Sequence, residues 1–368
     1  MAVCTRCSPQ NNQLAHVRDY VITPVERGQV VLYDLLDTDS GVFALTWNAP
    51  LRDVTFHALS DSGYESHVSL KVFEPSMFGS QENLYILPHN RDSLFVVPEI
   101  STSVYLLDHQ GAVQDTFRLD RLSPSGNDRY RLSVNLYSPM LYIPPYLYLS
   151  MVKEREPGSE RTNDGWYPGT LPFKVVNIKG DSLVADSIPV SWPELKNENM
   201  QFSLIGPMCT QLPDSQLIFH YTNVPLLQRW DRDNGLETYD PQGKFFGRIP
   251  HYDEESARAD LDYIRRFILE CPSYLYLVYD PYRHLYFRSY YPEMRLKIKD
   301  DMLPRPDDQS WYLMVMDEQF NVLDEIPMTS DYNPYFIKPV REGLLIAQKK
   351  TNRFSNQFSI SLFTYHQR

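Results

Sequence analysis

Short runs in which apolar or aromatic residues alternate with polar ones recur along this chain, and turns rich in Asp, Asn and Gly separate them. Period-two runs bounded by turn formers predict β-strands, because successive strand side chains face opposite sides of a sheet. One such strand repeats as DSLFVVPE (92–99), YLYLSMV (146–152), SQLIFHYT (215–222), HLYFRSYY (284–291) and EGLLIAQK (342–349). Aligned on Leu94, Leu147, Leu217, Leu285 and Leu345, the copies lie 53, 70, 68 and 60 residues apart.

A second strand follows the copies and closes in a turn: VYLLDHQGAV, FKVVNIKGDSLV, ETYDPQGKFFGRI and YLMVMDEQFNVLDEI. These segments predict hairpins, since Asp and Gly supply the side-chain acceptor and the positive-φ residue of a tight turn. Units of this size, each with room for four strands, are the signature of β-propeller blades. The earlier segment GQVVLYDLLDTDSGVFALT predicts a further hairpin and HVSLKVFE a further strand. The fold expected is therefore all-β, a six-bladed propeller with seven blades as the alternative. In the expected closure HVRDYVITP, or a neighbour, pairs with the C-terminal QFSISLFTY. The expected division is a tail over 1–16 and a single propeller domain over 17–368. One segment breaks the pattern: Ala257, Leu261, Ile264 and Ile268 recur at helical spacing, predicting a short helix over 254–270 with Asp253 as its N-cap.

Composition agrees with strands, aromatic residues making up 13% of the chain. The formal charge of −12 is the wrong sign for a chain that neutralises phosphates, so nucleic acid is not an expected partner. No run of 18 apolar residues occurs, so any membrane contact is expected through an N-terminal lipid anchor alone. The stretch MAVCTRCSPQNNQLAH carries Cys4 and Cys7. It reads as the remnant of a lipoprotein signal, as a featureless tail, or as a metal or redox pair. The remaining cysteines, Cys209 and Cys271, sit in apolar-aromatic surroundings and are expected as buried free thiols.

The segment IRRFILECPSYLYLVYDPYRHLYFR resembles a pattern of an uncharacterised propeller family of Bacteroidota cell-envelope lipoproteins. The resemblance extends through DSLFVVPEISTSVYLLDHQGAVQDTFRL, YLMVMDEQFNVLDEIPM and FIKPVREGLLIAQKK, covering roughly residues 65–365. It implies a six-bladed propeller and an exported lipoprotein, and it implies no known activity.

No G-x-S-x-G elbow and no H-x-x-x-H pair marks a catalytic or metal centre, and neither cofactor nor metal is expected. Two acidic turns, DTDSG (Asp37, Asp39) and DRDNG (Asp231, Asp233, Asn234), resemble pieces of calcium loops but lack the later bidentate Glu, so they read as hairpin turns. Candidate ligand-binding residues are Trp166 and Tyr167 in the loop NDGWYPG, Trp230 beside a turn, and Arg283 and Arg288 in YDPYRHLYFR. Alternation puts Arg283, Leu285 and Phe287 on one strand face and His284, Tyr286 and Arg288 on the other. For both arginines the alternative is an architectural role, tying neighbouring loops or stacking on tyrosines. The function expected is a non-enzymatic binding or scaffold propeller recognising a glycan, peptide or protein. The alternative is a carbohydrate-active hydrolase or lyase.

Overall fold

A computed structural model describes residues 13–23, 30–38, 41–48, 51–60, 65–70, 84–90, 92–98, 103–118, 130–132, 141–143, 146–153, 173–177, 185–188, 208–212, 216–250, 253, 255–256, 260–294, 308–349 and 357–366. In chain order, β1 (Gln13–Ile22) precedes sheet I, made of β2 (Val30–Thr38), β3 (Gly41–Asn48), β4 (Asp53–Ala58) and β5 (Glu65–Ser69). Sheet II holds β6 (Leu84–Asn90), β7 (Ser93–Pro98), β8 (Ser103–Asp108) and β9 (Val113–Arg118). Sheet III holds β10 (Tyr130–Leu132), β11 (Leu141–Ile143), β12 (Tyr146–Lys153), β13 (Phe173–Asn177) and β14 (Ala185–Ile188). Sheet IV is β15 (Met208–Gln211), β16 (Leu217–His220), β17 (Leu227–Asp231) and β18 (Gly235–Tyr239). After helix α1 (Leu261–Glu270), sheet V is β19 (Ser273–Asp280), β20 (Leu285–Tyr291), β21 (Trp311–Met316) and β22 (Val322–Met328). Sheet VI is β23 (Tyr332–Val340), β24 (Gly343–Gln348) and β25 (Phe358–His366), with β1 added at its edge.

Every pairing is antiparallel, and the arrangement is that of a β-propeller. The first strands of sheets IV, V, VI and I are neighbours: β15 lies against β19, β19 against β23, and β23 against β2. Four of the five repeated leucines fall on the second strand of their sheets and Leu147 on β12, which follows the two short strands β10 and β11 in sheet III; all five are buried. Leu45 on β3 holds the same role in sheet I, a copy that the alignment of the other five did not reach.

The core is divided into slabs between successive sheets, as stacked blades require. Phe43, Leu45 and Phe56 of sheet I meet Leu94 and Val96 of sheet II. Tyr274, Tyr286 and Met314 of sheet V meet Ile218 and Leu227 of sheet IV. Phe287, Trp311 and Val315 cover the other face of sheet V against Ile346 and Phe363 of sheet VI. Sheet VI in turn buries Leu345, Ile360 and Leu362 against Leu35 and Ala44 of sheet I, so the last sheet packs on the first.

Strand β1 pairs with β25 from Gln13↔His366 to Ile22↔Phe358, the N-to-C closure expected from the sequence. Ser361 Oγ donates to Asp19 Oδ1 at 2.5 Å and Gln348 Nε2 donates to Ser361 Oγ at 2.9 Å, so β1, β25 and β24 share one polar tie. Residues 13–16, expected in the tail, belong to this strand.

Three expectations are corrected. The segment after Tyr239 in ETYDPQGKFFGRI forms no second strand; residues 240–250 run as a loop over sheet V. Pro241 has no N–H for a ladder, and Phe246 instead stacks on Tyr274 at 4.1 Å between ring centroids. Asp253 accepts from Glu255 N at 3.1 Å ahead of helical residues 255–256, but α1 begins at Leu261 with its own cap, Asp260, whose side chain accepts from Asp262 N and from Arg266 Nη2 at 2.9 Å. Ile268 is 59% exposed rather than buried, while its neighbour Phe267 packs with Tyr263, Ile249 and Cys271. Cys209 and Cys271 are buried free thiols, as expected.

Candidate functional site

The hairpin turns share one design, and its exceptions build a site. In Asp108–Ala112 the Asp108 carboxylate accepts from Gln110 N and Ala112 N, and Gly111 takes φ +79°. The turn Asp317–Asn321 repeats this bond for bond: Asp317 Oδ1 accepts from Gln319 N and Asn321 N, but Phe320 occupies the left-handed position at φ +61°. Likewise Asp231 Oδ1 accepts from Asp233 N and Asn234 N, with Gly235 at φ +83°. Asp280 Oδ1 accepts from Tyr282 N and Arg283 N, and there His284 stands at φ +56°. A side chain in this region costs roughly 1–2 kcal/mol that glycine avoids. Sheet V thus places His and Phe where sister turns place Gly.

Both of those side chains serve one cleft. It has a volume of about 500 Å³, lies between sheets IV and V at their turn end, and is lined by Gln216, Arg229, Tyr279, His284, Tyr286 and Glu318 among others. Phe320 is buried behind it, stacked on Tyr286 at 4.6 Å and tilted against Tyr239 at 4.5 Å. At one side Glu318 Oε1 accepts from Tyr279 OH at 3.0 Å and pairs with His284 Nδ1 at 3.0 Å. With Nδ1 committed to a carboxylate, the neutral imidazole keeps Nε2 as an acceptor. The His284 side chain is 67% exposed, so that nitrogen is open to ligand.

On the other side Arg229 donates through Nε and Nη2 to Glu237 Oε2, at 3.1 and 2.5 Å, and Tyr239 OH donates to the same oxygen at 2.7 Å. The Tyr239 hydroxyl and then the Arg229 guanidinium hold Glu237 below its ordinary range. Burial, followed by the neighbouring Tyr279, pushes Tyr286 up. The cleft therefore presents aromatic walls with a His–Glu–Tyr cluster on one rim and an Arg–Glu–Tyr cluster on the other. It suits planar, hydrogen-bonding ligands.

The residues singled out from sequence sit elsewhere. Arg283 and His284 belong to the β19–β20 turn rather than to the strand, so strand alternation does not govern them. Arg283 turns away from the cleft: it pairs with Asp280 at 2.8 Å and donates to the carbonyls of Val340 at 3.2 Å and Arg341 at 3.1 Å. The adjacent Tyr282 OH donates to Asp37 at 2.7 Å, so this turn bonds to sheets VI and I. Arg288 has no exposed surface. Its guanidinium donates to the carbonyls of Pro225 (2.7 Å), Tyr221 (3.2 Å) and Val224 (3.3 Å) and lies 3.5 Å from the centroid of the Tyr274 ring. Trp230 meets Tyr148 edge-on at 6.4 Å, bridging sheets III and IV. Trp166 and Tyr167 lie outside the described residues.

The fold and the sequence both bear on relationship. A family model described as Domain of unknown function (DUF4221) matches residues 83–327. The chain belongs to the DUF4221 family. A crystal structure of a DUF4221 member from Bacteroides vulgatus shares the fold, with a TM-score of 0.75 at 15% identity over 98% of this chain and 100% of that one. A virginiamycin B lyase from Staphylococcus aureus gives 0.44 at 9% identity over 94% and 99% of the two chains. Regucalcin from Agrobacterium tumefaciens, a calcium-binding protein, gives 0.43 at 10% over 91% and 90%. No curated protein matches the sequence.

His284, Glu318, Tyr279 and Arg229 were not singled out from sequence. A signal was present: DPYRH and DEQFN follow the Asp-led turn pattern of DRDNG and DHQGA but lack its glycine.

Proposed function

We propose that this DUF4221 protein is a binding propeller of the cell envelope, its six sheets the six blades of one ring, and that it holds a glycan or peptide in the cleft between sheets IV and V. The observation that carries the reading is the two left-handed non-glycine residues in the Asp-led turns of sheet V. His284 and Phe320 accept backbone strain at two turns, and the return is one open imidazole and one buried ring that shapes the cleft wall. Arg229 is paired with Glu237, while Glu318 keeps a negative charge that Tyr279 and the neutral His284 hydrogen-bond without cancelling, so the cleft suits a neutral ligand or one carrying a cationic group. The envelope location, at the outer membrane or in the periplasm, rests on the sequence resemblance to lipoproteins, and cell fractionation that left the protein in the cytoplasm would count against it.

The direct test is a screen of immobilised glycans and peptides with the wild type and with His284→Gly. Loss of binding at an unchanged or raised melting temperature is expected; full retention of binding by His284→Gly would sink the assignment of the cleft. The His284–Glu318–Tyr279 cluster gives a specific reason to keep an enzyme as the second reading, because a carboxylate-oriented imidazole is a competent general base. Turnover of a captured glycan by the wild type, abolished in His284→Gln, would replace the binder by a hydrolase or lyase.

A further inference from the structure

Eight buried side-chain N or O atoms lack a hydrogen-bond partner among the described residues, and four of them belong to His220, Thr222, Asn223 and Arg288. These four residues lie at one junction, where β20 of sheet V meets the end of β16 and the turn that follows it in sheet IV. Arg288 Nη1 and Nη2 are used by three backbone carbonyls, and Nε is left over. The other arginines in described ion pairs, Arg229, Arg266 and Arg283, each meet a carboxylate. Arg288 meets none among the described residues, although it alone of the four is fully buried. A guanidinium in that position has its hydrogens largely satisfied and its charge only partly offset, by the Tyr274 ring and by the more distant Asp240, and a buried charge without a paired counter-ion is unfavourable.

We propose that this junction binds a small monovalent anion of chloride or formate size, held by Arg288 Nε, the Thr222 hydroxyl and His220 Nδ1. All three atoms are donors or can become donors, and each belongs to a residue less than a tenth exposed. Burial, and then the nearby Arg288 charge, holds His220 well below its usual titration range, so the imidazole contributes a neutral N–H, and the positive charge in direct reach of the anion is Arg288's, with Asp240 acting on it from farther away. Asn223 Oδ1 is an acceptor and completes its bonding with a water beside the anion rather than with the anion itself. The ligand is structural, a counter-ion that joins two sheets, and it is independent of the cleft.

The test compares thermal unfolding of the full chain in sodium chloride, bromide and gluconate at equal ionic strength, together with bromide-soaked crystals. The expected results are a melting temperature that rises with chloride or bromide and saturates, and an anomalous peak within hydrogen-bond reach of Arg288 Nε. Thr222→Val, which keeps the volume, is expected to weaken the apparent halide affinity by about tenfold, the loss of one hydrogen bond to a charged group. Equal melting in all three salts, or ordered water in place of the anomalous peak, overturns the proposal.

Discussion

Replacing Arg288 by Ala removes a donor group that serves the carbonyls of Tyr221, Val224 and Pro225 together, and it removes the cation from the face of Tyr274. Hydrogen bonds to a charged donor contribute roughly 1.5–3 kcal/mol each, and a desolvated cation–π contact adds about 2. Against this stands the relief of burying the guanidinium, several kcal/mol per ion. Burial already pushes its pKa down to about 10, so that opposing contribution is real. The losses outweigh it, because the turn carbonyls stay buried under sheet V and gain no other donor. A net destabilisation of roughly 3–5 kcal/mol is expected, a large part of a typical domain's 5–15. Urea unfolding monitored by tryptophan fluorescence reads it: with an m-value of about 3 kcal/mol/M, the midpoint drops by about 1 M or more. Arg288→Met supplies the volume without the donors and separates the two effects; it should fall between wild type and Arg288→Ala. A midpoint for Arg288→Met equal to that of wild type would refute the reasoning, because it would mean the three carbonyls need no donor from β20.

Further outcomes follow from single sites. Gly343→Ala should unfold the protein or leave it aggregated on expression, since a Cβ there would sit on the Phe363 carbonyl at the β24–β25 ladder; a soluble variant with native circular dichroism would contradict this. His284→Gly should leave the urea midpoint unchanged or raise it, relief of the left-handed strain of roughly 1–2 kcal/mol being set against the greater freedom of glycine in the unfolded chain and an exposed ion pair of little value. A midpoint lowered by more than about 1 M at an m-value of about 3 kcal/mol/M would show that His284 supports the fold. Asp19 is held below its ordinary range by the Ser361 hydroxyl first and by His16 next, so its contribution to β1 docking is complete above about pH 4 and is lost as pH falls through its lowered folded-state value. Asp19→Asn should therefore flatten the acid limb of a stability-against-pH curve; an unaltered limb would exclude a role for this tie.

How much of this was legible beforehand differs between fold and site. The repeated leucines needed no tertiary information, because a blade's second strand is covered on both faces and so must carry an apolar residue wherever it recurs. The closure of β1 on β25 was legible for a similar reason: an unpaired C-terminal strand in a ring leaves an exposed edge, and a strand-forming stretch able to cover it lies near the other end of the chain. The helix was legible as a helix, but the separate start of α1 at Asp260 and the burial of Phe267 rather than Ile268 were not, since both depend on Phe267 finding Ile249. Arg283 and Arg288 drew notice as charges among tyrosines, yet sequence could not say where a guanidinium points; the packing of sheets IV, V and VI decided that each ends on backbone carbonyls of a neighbour. The cleft belongs wholly to the tertiary structure. His284 and Glu318 stand 34 positions apart in different turns, and Arg229 reaches the same space from another sheet, so only the stacking of one blade on the next brings them together. What the sequence did hold was the missing glycine in two of four alike turns, a local conflict with backbone preference that the folded structure turns into a site.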